Sequence, residues 1–333
     1  MANKILLTGA TGFIGNHVLQ NLQQTNADIT AIIRPNTAKS RLKNFDNSVQ
    51  KVEIDLCNIP ALRAFLEANS FDAIIHIGAL RGGRKATRKT YRLANIDASE
   101  QLMINSIKND SKFIFCSSVG VFGAIPCELP ANNYTKRQED NFYHLTKIQS
   151  EKLLQKYVLQ GLKGAIIRPA ITYGIGDYGF PYTLIKLIDR KLLRLPDHDV
   201  TIHLTNVNTL AQAFQKLMET DYIPGSAFNV ADPKPVKLHD LADFISREIH
   251  KKRFNDKYII KSKWFELGEK ISISLKNELW TARFQLISKS WYYDVEDAYK
   301  TLSLKNGSTI PDIKVVIEWY LKQNRIMKKK RKK

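Results

Sequence analysis

Two hydrophobic rhythms alternate along the first half of the chain. Strand-like apolar runs occur at 5–8, 29–33, 51–54, 73–77, 112–116 and 164–168, and between them apolar positions recur at helical spacing over 15–24, 59–68, 91–108 and 142–160. Unbroken runs suit strands buried on both faces, whereas a recurrence every three to four residues suits helices with one apolar face. Their alternation predicts a Rossmann-type, doubly wound parallel α/β sheet with helices on both faces and right-handed crossovers. A helix at 209–219 and a strand at 227–230 extend the same sheet. From about Tyr173 the rhythm breaks at Gly174, Gly176, Gly179 and Pro181, then resumes as helices mixed with short strands. The expected organisation is a sheet domain over 1–172 plus 201–231, a smaller mixed α/β lobe over 173–200 plus 232–325, and a disordered basic tail over 326–333.

The first strand runs into Gly9, Gly12 and Gly15, with Val18, Leu19 and Leu22 following at helical spacing. A strand, tight turn and helix in that order form a dinucleotide-binding pattern. Glycine lets the turn adopt backbone angles closed to other residues, lets a pyrophosphate approach the main chain, and lets the helix press on its strand. The new helix offers unpaired N–H groups and a partial positive charge to the phosphates.

Composition narrows the class. With 333 residues and 44% hydrophobic content, the chain can build a substantial core without staples. Cys57, Cys116 and Cys127 are odd in number and match no metal spacing, and the few histidines form no ligand cluster, so neither disulfides nor a metal is expected. No secretory signal is recognisable and no apolar stretch approaches the roughly 20 residues that cross a bilayer, so the expected location is the cytoplasm. The formal charge of +19, from 51 basic and 32 acidic residues, admits nucleic acid, anionic lipid or a phosphorylated substrate as partner. Six of those charges lie at 328–333, where a solubilising end is the plainest reading and weak contact with RNA, DNA or a membrane surface the other. Arg81, Arg84, Lys85, Arg88, Lys89 and Arg92 form a second basic stretch after the fourth strand, on the rim where a ligand would sit. It is read as a solvated loop or as a site for a substrate phosphate or carboxylate.

Tyr143 and Lys147 are four residues apart on a predicted helix, which places them on one face. A tyrosine with an ordinary pKa of about 10 is a poor base at neutral pH, but a neighbouring ammonium favours the phenolate.

Gly9-Ala-Thr-Gly-Phe-Ile-Gly15, Asp55-Leu56, His76-Ile-Gly-Ala79, Asn95, Ser117-Ser118, Tyr143-x-x-x-Lys147 and Arg168-Pro169 through Tyr173-Gly174 together resemble the extended short-chain dehydrogenase/reductase family, also called the NAD-dependent epimerase/dehydratase family. The resemblance runs from Lys4 to about Leu321, because Asn229-Val230 through Leu241 and Trp291-Tyr-Tyr-Asp-Val295 are similar to its substrate-domain segments. It implies that Ser118 holds the substrate oxygen near Tyr143, with Ser117 structural. Lys147 would hold the nicotinamide ribose and lower the tyrosine pKa, and Asn95 would brace the site. Gly9, Thr11, Gly12, Phe13, Ile14 and Gly15 would line the coenzyme, with Asp55 and Leu56 beside the adenine and Gly78 and Ala79 where backbone passes it. His76 would be a satisfied hydrogen-bonding group.

Coenzyme choice rests on the end of the second strand, where an acid would accept from the adenosine ribose; this chain has Arg34, with Lys39 and Arg41 nearby, and Asp28 is badly placed to substitute. NADP is therefore preferred to NAD. Val119-Gly-Val-Phe-Gly123 follows Ser118 where the family's dehydratases carry an Asp-Glu pair, which disfavours dehydration. Phe122 stands where a tyrosine is common and Asn208 where aspartate is. Arg34-Pro35 and Trp291-Tyr-Tyr-Asp look more like the hydroxysteroid-dehydrogenase and flavonol-reductase branch. The expected activity is interconversion of a secondary alcohol and a ketone by hydride transfer, with Tyr143 as acid and base. One alternative is a nucleotide-sugar epimerase that retains NAD; another is a non-catalytic dinucleotide-binding regulator with affinity for nucleic acid. Resemblance also implies a homodimer through the helix bearing Tyr143 and its neighbour.

Overall fold

The strand-like runs form the strands they predict. In the computed structural model, which describes residues 4–82, 85–305 and 307–330, the chain begins with β1 (Lys4–Thr8), α1 (Phe13–Leu22), β2 (Asp28–Ile33), β3 (Gln50–Glu53), α2 (Ile59–Glu67) and β4 (Ala73–His76). It continues through α3 (Arg88–Arg92), α4 (Ala98–Lys108), β5 (Lys112–Cys116), α5 (Phe142–Val158) and β6 (Lys163–Pro169). Then follow β7 (Ile171–Tyr173), α6 (Phe180–Asp189), β8 (Leu195–Pro196), β9 (Thr201–Ile202), β10 (Leu204–Asn206), α7 (Val207–Glu219) and β11 (Ala227–Val230). The last part holds β12 (Val236–Lys237), α8 (Leu238–His250), β13 (Ile259–Ile260), α9 (Lys263–Ser274), α10 (Glu278–Ser288), α11 (Glu296–Leu302), α12 (Thr309–Asp312) and α13 (Lys314–Lys330).

Seven strands form one parallel sheet in the order β11-β6-β5-β4-β1-β2-β3. Successive β1 residues serve opposite cores: Ile5 and Leu7 meet Val18 and Leu19 of α1 and Phe214 of α7, while Leu6 meets Leu62 of α2 and Leu102 and Met103 of α4. The sheet is thus covered on both faces, as its unbroken apolar runs require. The strand order reverses between β1 and β4, and in open parallel sheets ligands occupy the crevice beyond the carboxyl ends at such a point.

A third core lies beyond those ends. Tyr173, Leu184, Leu195, Ile202, Leu241 and Trp291 are buried together, and Val121 and Phe122 from the turn after β5 insert among them. The elements after residue 173 are therefore packed directly onto the loop that carries Ser118.

Two expectations need correction. The helix expected at 91–108 is three segments, α3 and α4 joined by a single π turn over Leu93–Asp97, which holds Asn95. The tail expected to be disordered from 326 is helical as far as Lys330, because Val316, Ile317 and Tyr320 bury one face of α13 and adding turns to a formed helix costs little; 331–333 lie outside the described residues.

Candidate functional site

The glycine loop closes the crevice between β1 and β4. Gly9 has a φ of +79°, and a Cβ on it would lie 2.6 Å from the Gly78 nitrogen, so the loops after β1 and β4 touch backbone to backbone. A Cβ on Gly15 would lie 2.1 Å from the Gly9 carbonyl oxygen, which makes Gly15 the close-packing position of α1. Gly12 caps α1 without a side chain, and no acid stands in the first turn. The N–H groups of that turn, from Phe13 onward, are left for an anion, which fits a pyrophosphate. Arg41 donates to the Thr11 carbonyl at 3.4 Å, and the Phe13 ring lies beside Gly174 and Gly176. Ile14 packs against the core under the loop.

The walls of the crevice are tied by hydrogen bonds. The Gly78 N–H donates to Thr8 Oγ1 at 3.0 Å, Thr8 Oγ1 pairs with His76 Nδ1 at 2.7 Å, and His76 Nε2 pairs with Ser99 Oγ at 2.9 Å. Burial, and then the charge of Lys147, push the His76 pKa down to about 3, so its imidazole is neutral and structural. Leu56 packs against Gly78, next to Ala79, and Asp55 accepts the Cys57 N–H at 2.8 Å. Arg34 follows β2 directly and is exposed. Asp28 is the first residue of β2, paired in register with Lys4, and so stands at the opposite end of the strand from the crevice.

Ser118 leaves the carboxyl end of β5 and accepts the Gly120 N–H at 3.0 Å. Asn141 caps α5 by accepting the His144 N–H at 2.9 Å, which puts Tyr143 in the first turn and Lys147 one turn later. Burial raises the Tyr143 phenol well above its ordinary range; the Arg81 charge and a hydrogen bond from Ser118 pull the other way. Lys147, 2% exposed, donates to the Cys116 carbonyl at 2.6 Å with its Nζ 6.0 Å from the Tyr143 ring centroid. Burial lowers its pKa. Asn95 in the π turn exchanges two hydrogen bonds with the Leu80 backbone, at 2.7 and 3.0 Å, and donates to Thr146 Oγ1 at 2.9 Å. It therefore joins the loop after β4 to α5, and π turns recur at functional sites for this kind of local re-aiming. Ser118, Tyr143 and Lys147 are brought together; Asn95 positions them from behind.

Two further charged residues, Arg81 and Asp177, carry no motif of their own. Arg81 belongs to the basic stretch noted in the sequence, and it acts on both Tyr143 and Asp177. Two of its neighbours are engaged elsewhere, Arg88 at 5.4 Å over the Phe142 ring and Arg92 with Asp97 at 3.4 Å; Arg84 lies outside the described residues. Asp177 is buried in the turn before α6; one oxygen accepts the Gly179 N–H at 2.9 Å, and Oδ2 has no partner among the described residues. Burial raises its pKa to about 6. Its only sequence signal was the glycine-rich break itself. Beneath the site, Glu151 makes a two-pronged pair with Arg168 at 2.8 and 2.7 Å and accepts from Ser117, which accounts for Ser117 as a structural residue.

Among the described residues no group of three or more His, Cys, Asp and Glu side chains is placed to hold a metal, and no helix is long and apolar enough to cross a membrane.

Comparison with known proteins adds an independent line. The family model described as NAD dependent epimerase/dehydratase family matches residues 5–234. A dTDP-4-dehydro-6-deoxy-D-allose reductase from a Streptomyces species is 27% identical over 264 residues, 72% of this chain and 79% of its own. A UDP-glucose 4-epimerase from Caenorhabditis elegans is 32% identical over 168 residues, 45% of this chain and 48% of its own. The structure of a UDP-glucuronic acid 4-epimerase from Bacillus cereus in complex with NAD superimposes with a TM-score of 0.73 at 21% identity, covering 96% of this chain and 99% of that one.

Proposed function

This chain is an enzyme of the NAD-dependent epimerase/dehydratase family, and we propose that it is an NADP-preferring oxidoreductase that interconverts a secondary alcohol and a ketone on a nucleotide-linked sugar. The convergence of the Ser118 hydroxyl on the Tyr143 phenol, with Lys147 one helical turn away, carries the reading. The nicotinamide, when bound, supplies or takes up the hydride. Tyr143 gives its proton to the substrate oxygen during reduction and recovers it during oxidation, while Ser118 donates to the same oxygen and keeps it in line. Lys147 would hold the nicotinamide ribose hydroxyls and bring its charge to the phenol. The α1 N-terminus with Gly12, Phe13 and Ile14 would hold the pyrophosphate, and Asp55, Leu56 and Ala79 would border the base and the passing backbone. Residues 1–172 with 201–231 form the coenzyme domain, and 173–200 with 232–325 the substrate lobe.

Arg34, backed by Arg41 against the glycine loop, supports NADP through its fit to a 2′-phosphate. The substrate class follows the named activities of the two relatives, a reductase and an epimerase of nucleotide-linked sugars. We also place the enzyme in the cytoplasm, as a homodimer through the outer faces of α4 and α5.

A second reading, an epimerase that retains NAD, is favoured by the Caenorhabditis elegans relative at 32% identity. Denaturing freshly purified protein and identifying released dinucleotide by mass spectrometry separates the two. Empty protein that binds NADPH more tightly than NADH supports the reductase; near-stoichiometric NAD supports the epimerase and overturns the coenzyme preference.

A further inference from the structure

Seven large apolar side chains are exposed within a single helical hairpin. Trp264, Leu267 and Ile271 of α9 and Leu275 at its C-cap follow one another at spacings of three, four and four, so they form one stripe, and each is between 46% and 72% exposed. Ile273, Leu279 and Trp280 surround the tip where α9 turns into α10.

The hairpin does not need this stripe to fold. Its inner face is closed by other residues: a Cβ on Gly268 would lie 2.5 Å from the Phe284 ring, Ser272 Oγ and Thr281 Oγ1 are 2.9 Å apart, and Glu269 accepts from Gln285 and Lys289 at 2.8 Å each. The outer stripe is surplus to that packing, and an exposed apolar strip of this kind marks a contact surface.

Charge selects the occupant. Lys261, Lys263, Lys270, Lys276, Arg283 and Lys289 stand against Glu266, Glu269 and Glu278, and Glu269 is already engaged by Lys289. Both tryptophans carry a basic neighbour, Lys263 at 5.8 Å from the Trp264 ring and Arg283 at 5.0 Å from the Trp280 ring. A second copy docked through this patch would bring the same basic rim against itself. An anionic lipid headgroup layer matches both the lysine rim and the apolar stripe, with tryptophan at the boundary between them. The 12 residues of α9 extend only about 18 Å, too short for a hydrocarbon core of about 30 Å, so the hairpin would lie along the interface.

We propose that the α9–α10 hairpin is a peripheral docking device for an anionic lipid bilayer, with the Trp264, Leu267, Ile271 and Leu275 stripe inserted among the headgroups.

Flotation of the full chain with vesicles of phosphatidylcholine alone, or with about 30% phosphatidylserine added, tests this. The protein is expected to float with the anionic vesicles only. A variant carrying Trp264→Ser, Leu267→Ser, Ile271→Ser and Leu275→Ser should lose about tenfold or more of the bound fraction while its coenzyme affinity stays unchanged, which shows that it is folded. Removal of 328–333 should leave most binding in place. Failure to float with anionic vesicles, equal flotation of the serine variant, or loss of binding only on removing the tail would each overturn the proposal. Light scattering that shows a dimer dissociated by the serine changes, without vesicle binding, would assign the stripe to a second copy and overturn it as well.

Discussion

Lys147 Nζ donates to the main-chain carbonyl of Cys116 over 2.6 Å, tying the helix that carries Tyr143 to the last residue of the strand that leads to Ser118. That ammonium is buried at a cost, since burial lowers its pKa. Function and stability therefore oppose one another here. Lys147→Met keeps the volume and removes the buried charge, so its melting temperature should be unchanged or a few degrees higher. Turnover should nevertheless fall about 100-fold or more, with weaker coenzyme binding, as measured by steady-state kinetics and fluorescence titration. A variant with full activity would remove Lys147 from the proposed site.

Arg34 tests the coenzyme preference separately from the chemistry. Arg34→Asp replaces a phosphate partner with a carboxylate that accepts from ribose hydroxyls and repels a 2′-phosphate. Affinity for NADPH should drop about tenfold or more, with affinity for NADH equal or improved. Equal losses for both coenzymes would place the residue against the adenine ring instead.

The pair beneath the site governs stability. Glu151 is buried, and its two-pronged contact with Arg168 is reinforced by Ser117 on one oxygen. Glu151→Gln leaves the Arg168 guanidinium buried without a countercharge, which costs about 3–5 kcal/mol. Urea unfolding should show that loss, and Glu151→Met combined with Arg168→Met should recover part of it.

Asp177 makes the fold less stable as pH rises. Its pKa is about 6 in the folded chain against the ordinary 3.8, so below 3.8 both states hold the proton and burial carries no charge penalty. Between 3.8 and about 6 the unfolded chain releases the proton first, and above about 6 the folded state bears the full penalty, about 3 kcal/mol at 1.36 kcal/mol per unit. Asp177→Asn keeps the acceptor for Gly179 and should therefore stabilise the protein by on the order of 2 kcal/mol at pH 7 and by almost nothing at pH 3.5. Chemical denaturation at the two pH values reads this difference directly.

Much of the sheet was legible because buried parallel strands are written as apolar runs, and each of the seven expected segments overlaps a strand of the sheet, the exposed edge strand β3 (Gln50–Glu53) being the least apolar of them. The glycine loop was legible for a related reason: Gly9 and Gly15 stand where a single Cβ would strike backbone. The π turn was not, because Ala94 and Ala98 keep an apolar face compatible with an ordinary helix, and the extra residue shows only in hydrogen bonding. Nor was the approach of Arg81 to Tyr143 and Asp177, which depends on how the loops after β4 and β7 meet. The α9–α10 hairpin was hidden most thoroughly. Its outward stripe has the same periodicity as a buried one, so pattern alone cannot say which way Trp264 and Leu267 face.

The most direct test of the central claim is the transfer of deuterium from labelled NADPH to a nucleotide-linked keto sugar, compared between the wild-type chain and Tyr143→Phe at equal coenzyme saturation. The account predicts transfer by the wild type and a decrease of about 100-fold or more in the variant, with coenzyme affinity changed by less than about twofold. Transfer at the wild-type rate by the phenylalanine variant would contradict it.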